Sequence, residues 1–151
     1  MDILTDTKRE WRELGFHYDR NDESKEWIFT GSRSGLIKLA AIFKAYALDE
    51  RNSIDTEHEH YGPYSYFKIM TINDEKGVND NAIYGSLKDI AYLGNAIEEK
   101  VLLSKPGQRI SFRSIYEPNS EYDIVLEFRE DGFDPTSIDE WIKQKESEQI
   151  A

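Results

Sequence analysis

The sequence predicts an α+β fold: a two-layer sandwich with a mostly antiparallel sheet of five to six strands, two main helices on one face and a short C-terminal helix. Three observations carry this. A β-like run passes through Gly-Ser into a helical pattern twice, at residues 27–32 and again at residues 82–86. Residues 121–129 alternate apolar and charged positions over the length of a strand. Finally, 151 residues with 38% hydrophobic and 13% aromatic content suit a single domain with one core, spanning residues 1–151, with segments 1–9 and 144–151 expected to fray.

Taken in order, residues 14–18 and 26–30 form two short apolar runs around the polar turn at residues 19–24, which reads as a hairpin. Gly31 releases the backbone and Ser32 caps a helix, whose buried stripe is Leu36, Leu39, Ala40, Phe43 and Ala47. Residues 50–63 are polar and read as irregular, closing on the turn-forming pair Gly62 and Pro63. Residues 64–72 are rich in aromatic and β-branched side chains and read as one long strand, with Tyr64 and Tyr66 on one face. A turn over residues 73–81 leads to a short strand at 82–84. Ser86 then caps a second helix along Leu87, Ile90, Ala91, Leu93, Gly94, Ile97 and Val101. The repeated strand, Gly-Ser and helix fits either an internal duplication or two ordinary caps. Pro106 and Gly107 end the helix, and residues 109–115 and 121–129 form a hairpin. In its second strand Tyr122, Ile124, Leu126 and Phe128 face the core, while Asp123, Val125, Glu127 and Arg129 form a wet face. Residues 136–148 make the last helix, anchored by Ile138, Trp141 and Ile142.

Net charge is −11, and residues 117–151 concentrate it with 11 acids against three bases. Such a surface repels nucleic acid and anionic lipid and draws in a basic protein partner; the plainer alternative is that it only keeps the chain soluble. The chain has no cysteine, no signal-peptide pattern at its start and no apolar run of membrane-spanning length, so a cytoplasmic location is expected, with no membrane or nucleic-acid partner.

Chemistry-bearing patterns are few. His58 and His60, flanked by Glu57 and Glu59, would face one side of an extended segment and could share a metal with His17. The simpler reading makes them hydrogen-bonding side chains of a polar loop. The Gly-Ser-Arg-Ser-Gly turn at residues 31–35 lacks the lysine and glycine spacing of a phosphate loop and is explained by helix capping. No serine sits in a nucleophile elbow, and nothing singles out a carboxylate pair. No cofactor is expected. Tyr61, Tyr64, Tyr66 and Phe67 either complete the core or present tyrosines beside carboxylates as a protein-binding patch.

The strings WRELGF at residues 11–16, EHEHYGPY at 57–64, NAIYG at 81–85 and YDIVLEFREDGF at 122–133 resemble a family of small bacterial immunity proteins of polymorphic toxin systems. The resemblance implies a stoichiometric inhibitor, not an enzyme, that neutralises a toxin domain such as a basic nuclease. Taken with the charge distribution, it points to a partner surface formed by Glu57, Glu59, Tyr61, Tyr64, Glu121, Asp123, Glu127, Glu130 and Asp131, on a monomer or homodimer. The alternatives left open are a metal-binding protein or metal-dependent hydrolase centred on His17, His58 and His60, and a homo-oligomeric regulatory domain.

Overall fold

The computed structural model describes residues 2–150; the fraying expected of residues 1 and 151 lies outside them. The fold is α+β, with four α-helices and two four-stranded sheets among the described residues, so eight strands replace the five to six expected in one sheet. The N-terminal stretch expected to fray is helix α1 (Ile3–Leu14), capped by Asp2, whose carboxylate accepts from Thr5 N at 2.7 Å. Its last turn takes in Leu14, and Gly15 closes it at φ 91°. The first hairpin is therefore β1 (His17–Asn21) and β2 (Glu26–Gly31).

Ser32 caps α2 (Arg33–Leu48) as expected. Beyond it, the stretch read as irregular holds β3 (His58–Tyr61). The long strand expected at residues 64–72 is shortened to β4 (Phe67–Thr71), because residues 63–65 form a 3-10 turn with Tyr64 at φ 67° and Ser65 at φ 57°. Tyr64 and Tyr66 consequently do not share a strand face. The following turn contains β5 (Gly77–Val78), which pairs with β6 (Ile83–Gly85) ahead of α3 (Leu87–Leu103). The last hairpin joins β7 (Arg109–Ser111), shorter than expected, to β8 (Asp123–Phe128), and α4 (Glu140–Ile150) follows. The C-terminal stretch expected to fray from residue 144 is helical through Ile150.

The sheets run β1-β2-β8-β7 and β3-β4-β6-β5, with antiparallel outer pairs and parallel inner pairs. Divide the chain into two ββαββ halves, β1-β2-α2-β3-β4 and β5-β6-α3-β7-β8, and exchange them. One sheet order then becomes the other, reversed. The first inner strand of each half, β2 and β6, ends on the Gly-Ser pair noted in the sequence: Gly31 lies opposite Phe128, and Gly85 lies opposite Thr71. The repeat of strand, Gly-Ser and helix is thus a repeat of connectivity, with each sheet built from one hairpin of each half.

α2 and α3 pack on each other and on the inner strands, which closes one core of buried side chains. Phe67 stands at its centre, with ring centroids 5.0 Å from Phe29, 5.9 Å from Phe43 and 6.3 Å from Phe16. No described helix is long and apolar enough to cross a membrane.

Candidate functional site

One departure from the exchange of halves lies beside β1. There α1, the Gly62–Tyr66 segment and the start of α4 surround the edge strand and leave an open cleft of about 410 Å³. Its lining includes Trp11, Trp27 and Trp141, the only three tryptophans of the chain, with Tyr64 and Tyr66 exposed at 46% and 67%.

Asp139 builds this region. It is 5% exposed, and its Oδ2 accepts from Trp11 Nε1 at 2.7 Å and from the Tyr64 hydroxyl at 2.6 Å. Its Oδ1 accepts from the Trp141 and Ile142 amides at 2.9 and 3.2 Å, so the same carboxylate caps α4. One side chain therefore ties α1, the tyrosine turn and α4 together. Burial pushes the Tyr64 hydroxyl above its ordinary pKa, and its bond to Asp139 adds to the shift. The neighbouring Tyr18 hydroxyl donates to Pro63 O and accepts from Tyr66 N at 3.2 Å, and burial raises its pKa to about 12.

His17 lies flat on Trp11, with ring centroids 4.4 Å apart and planes at 26°. It is 9% exposed and lines the cleft, yet among the described residues its ring nitrogens have no hydrogen-bond partner. Burial holds its pKa below the ordinary imidazole value; Asp19 and Asp139 oppose that shift, and Lys143 adds to it. Asp19 lies two positions along the strand from His17, on the same face and at the cleft wall. Arg20 also lines the cleft, but its guanidinium is engaged by Asp22 at 2.7 Å and by Asp80 O at 2.6 Å.

The residues singled out in the sequence fare unequally. Glu57 and Glu59 are exposed, without an ion-pair partner among the described residues, while Tyr61 packs its ring 5.2 Å from Phe67. Tyr64 belongs to the cleft, as above. Glu130 and Asp131 are exposed and likewise unpaired among the described residues, and exposed Glu121 lies 3.9 Å from Lys25. Two expectations are corrected. β8 is an inner strand, so its presumed wet face is largely covered: Val125 is buried and Asp123 is only 8% exposed. Ser111 donates to one Asp123 oxygen, and the other has no partner among the described residues. Glu127 is committed to Arg109 at 3.6 Å and Arg129 at 3.9 Å.

His58 and His60 do share one side of β3, with ring centroids 5.3 Å apart, but each Nδ1 is bonded to a backbone carbonyl, of Thr56 and Ser65 respectively. His17 stands on the other sheet against Trp11. Among the described residues no three His, Asp or Glu side chains form a metal-binding group.

The sequence reading missed the cleft and its hub. The one available signal was Asp139 followed by Glu140, Trp141 and Ile142, an N-cap before an apolar anchor. No family, no curated protein and no solved structure matches the chain.

Proposed function

We propose that the protein is a non-enzymatic acidic binding protein that takes a basic protein partner, in the manner of an immunity inhibitor neutralising a toxin domain. The observation that carries this reading is the preformed cleft beside β1. Exposed Tyr64 and Tyr66 and partly buried Trp141 open onto it, Trp11 and Trp27 (1% exposed each) back its wall, and Asp19 and Glu140 edge it. Large aromatic side chains at an open cleft lose little conformational freedom on binding and supply the desolvated centre of an interface. The exposed carboxylates Glu57, Glu59, Glu130 and Asp131, without ion-pair partners among the described residues, add a field that raises encounter rates with a basic surface and discourages nucleic acid. Relative to the sequence expectation, the weight moves from the β8 carboxylates, of which Asp123 is buried and Glu127 is ion-paired, to the cleft and the Tyr64–Tyr66 turn.

The test uses the cell that makes the protein. Cross-linking to a tagged chain, followed by mass spectrometry, should recover a basic protein, and recovery should drop on replacing Tyr66 with Ala and Asp19 with Lys. Deleting the gene should arrest growth unless the partner's gene is deleted too. An acidic partner, or growth unaffected by the deletion, overturns the reading.

A further inference from the structure

The basic-partner reading says nothing about what enters the cleft, and the lining residues narrow that choice. Three kinds of group converge there. Accessible aromatic surface comes from Tyr64, Tyr66 and partly buried Trp141, while Trp11 and Trp27, each 1% exposed, form the wall behind them. The carboxylate of Asp19 has only the Arg20 backbone amide as a hydrogen-bond donor among the described residues, at 2.9 Å. The third is the His17 imidazole, nine-tenths buried and without a hydrogen bond among the described residues.

The ring is nine-tenths buried as a residue, but its nitrogens are not among the fully buried unpartnered atoms, so they face the open cleft, where a donor from outside can take the place of water. The charges facing His17 are Asp19, Asp139 and Lys143, and those elsewhere on the cleft lining are Glu140 and Arg20. Arg20 is neutralised by Asp22, and Lys143 lies 3.4 Å from Glu140. What remains is an acidic balance held by Asp19 and Asp139. Asp139 already accepts four hydrogen bonds, so it contributes field, whereas Asp19 and His17 have open acceptor positions. A planar cation with several N–H donors matches flat walls and two separate acceptors. Guanidinium is also less strongly hydrated than ammonium, so it enters an aromatic site at lower cost.

We infer that the cleft holds a single arginine side chain of the basic partner, its guanidinium at the edge of the His17 ring, donating to His17 and Asp19, with its faces toward the exposed aromatic lining. This inference rests on the binding reading above and gives it an anchor.

The site carries its own reporter, because every tryptophan of the chain lines it. N-acetyl-arginine methylamide should change tryptophan emission saturably, with a dissociation constant on the order of 1 mM for so small a probe. The citrulline analogue, equal in shape and uncharged, should leave emission unchanged, and the lysine analogue should bind at least about tenfold more weakly. His17→Phe keeps the stack and removes the acceptor; Asp19→Asn removes exposed charge without touching the core. Each should weaken the arginine probe about tenfold while the melting temperature of Asp19→Asn stays put. Citrulline binding as well as arginine, or both variants binding as the parent does, overturns the inference. Octa-arginine and octa-lysine separate the two levels. Equal binding of both with unchanged emission removes the cleft assignment and leaves the acidic-binder reading standing. No binding of either at low salt removes both.

Discussion

The two halves of the chain repeat one connectivity and treat its edge in opposite ways. In the second half, β5 is sealed by a direct backbone bond from Tyr122 N to Val78 O at 3.0 Å, reinforced by Val78 N donating to Ser120 Oγ at 3.1 Å. In the first half the corresponding segment reaches β1 through the Tyr18 hydroxyl, which bonds Pro63 O and Tyr66 N. Gly62 sits between at φ 73°, where a Cβ would lie 2.8 Å from Leu14 and 2.9 Å from Tyr18. A hydroxyl spacer in place of a direct backbone bond leaves room beside the strand. α1 and α4, which the second half has no counterpart for, then wall that room into a cleft. The site arises where the halves stop being equivalent.

The largest effect that can probe this comparison is in the core. Phe67 in β4 and Ile124 in β8 occupy matching inner-strand positions, both buried, the first between five aromatic neighbours. Phe67→Ala should cost about 3–5 kcal/mol and Ile124→Ala about 2–4 kcal/mol by urea denaturation, the difference following from the larger cavity. Equal costs would show that the aromatic cluster gives the first half no special weight. Next comes Asp139, present only on the cleft side. Asp139→Ala removes a helix cap and two bonds to a charged acceptor, for an expected loss of about 3 kcal/mol. A loss under about 1 kcal/mol would mean that α1 and α4 dock without it.

What the sequence disclosed follows the range of the interactions concerned. Ser32 and Ser86 were readable because a cap acts on an amide three residues away, and the helix stripes because they repeat within one element. β3 and β5 were not, since four and two residues carry too little periodicity, and both are held by partners distant in sequence. Asp123 was read as exposed because alternation assigns a face without saying whether the strand is flanked on both sides; β2 and β7 flank it. The cleft was invisible for the same reason in stronger form. Its central bond joins Trp11 to Asp139 across 128 positions. His17 looked like a remote metal ligand when its actual neighbour was an indole six residues back.

The helix starts offer a smaller, sharper comparison. At the third helical position α3 has Asp89, which completes a capping box with Ser86, whereas α2 has Gly35 after the same serine. A Cβ at Gly35 would lie 2.1 Å from Gly15 O, so the close approach of the α1 exit excludes any side chain there. Gly35→Asp, which would copy the better cap into α2, should therefore destabilise by about 1–3 kcal/mol. Asp89→Gly should cost about 1 kcal/mol through the lost cap and glycine's freedom. A stabilised Gly35→Asp would show that α1 can move away, and that the first half is not locked as drawn.

The smallest effect is in pH dependence, and it belongs to the cleft half. Burial keeps the folded His17 below its ordinary pKa of about 6.5, so the unfolded chain takes up the proton first as pH falls. Its contribution is complete above that value. It declines as pH drops through about 6.5 toward the folded pKa, with a slope no steeper than about 1.4 kcal/mol per pH unit. Asp134, held low by its bond to Arg12, loses its contribution only in the more acidic carboxylate range, so the two windows separate. Replacing His17 with Phe should flatten the profile between neutral pH and pH 5.5 and leave the acidic limb alone, as read from urea midpoints. An unchanged neutral limb would place the proton uptake elsewhere and leave the imidazole with no titration to report from the cleft.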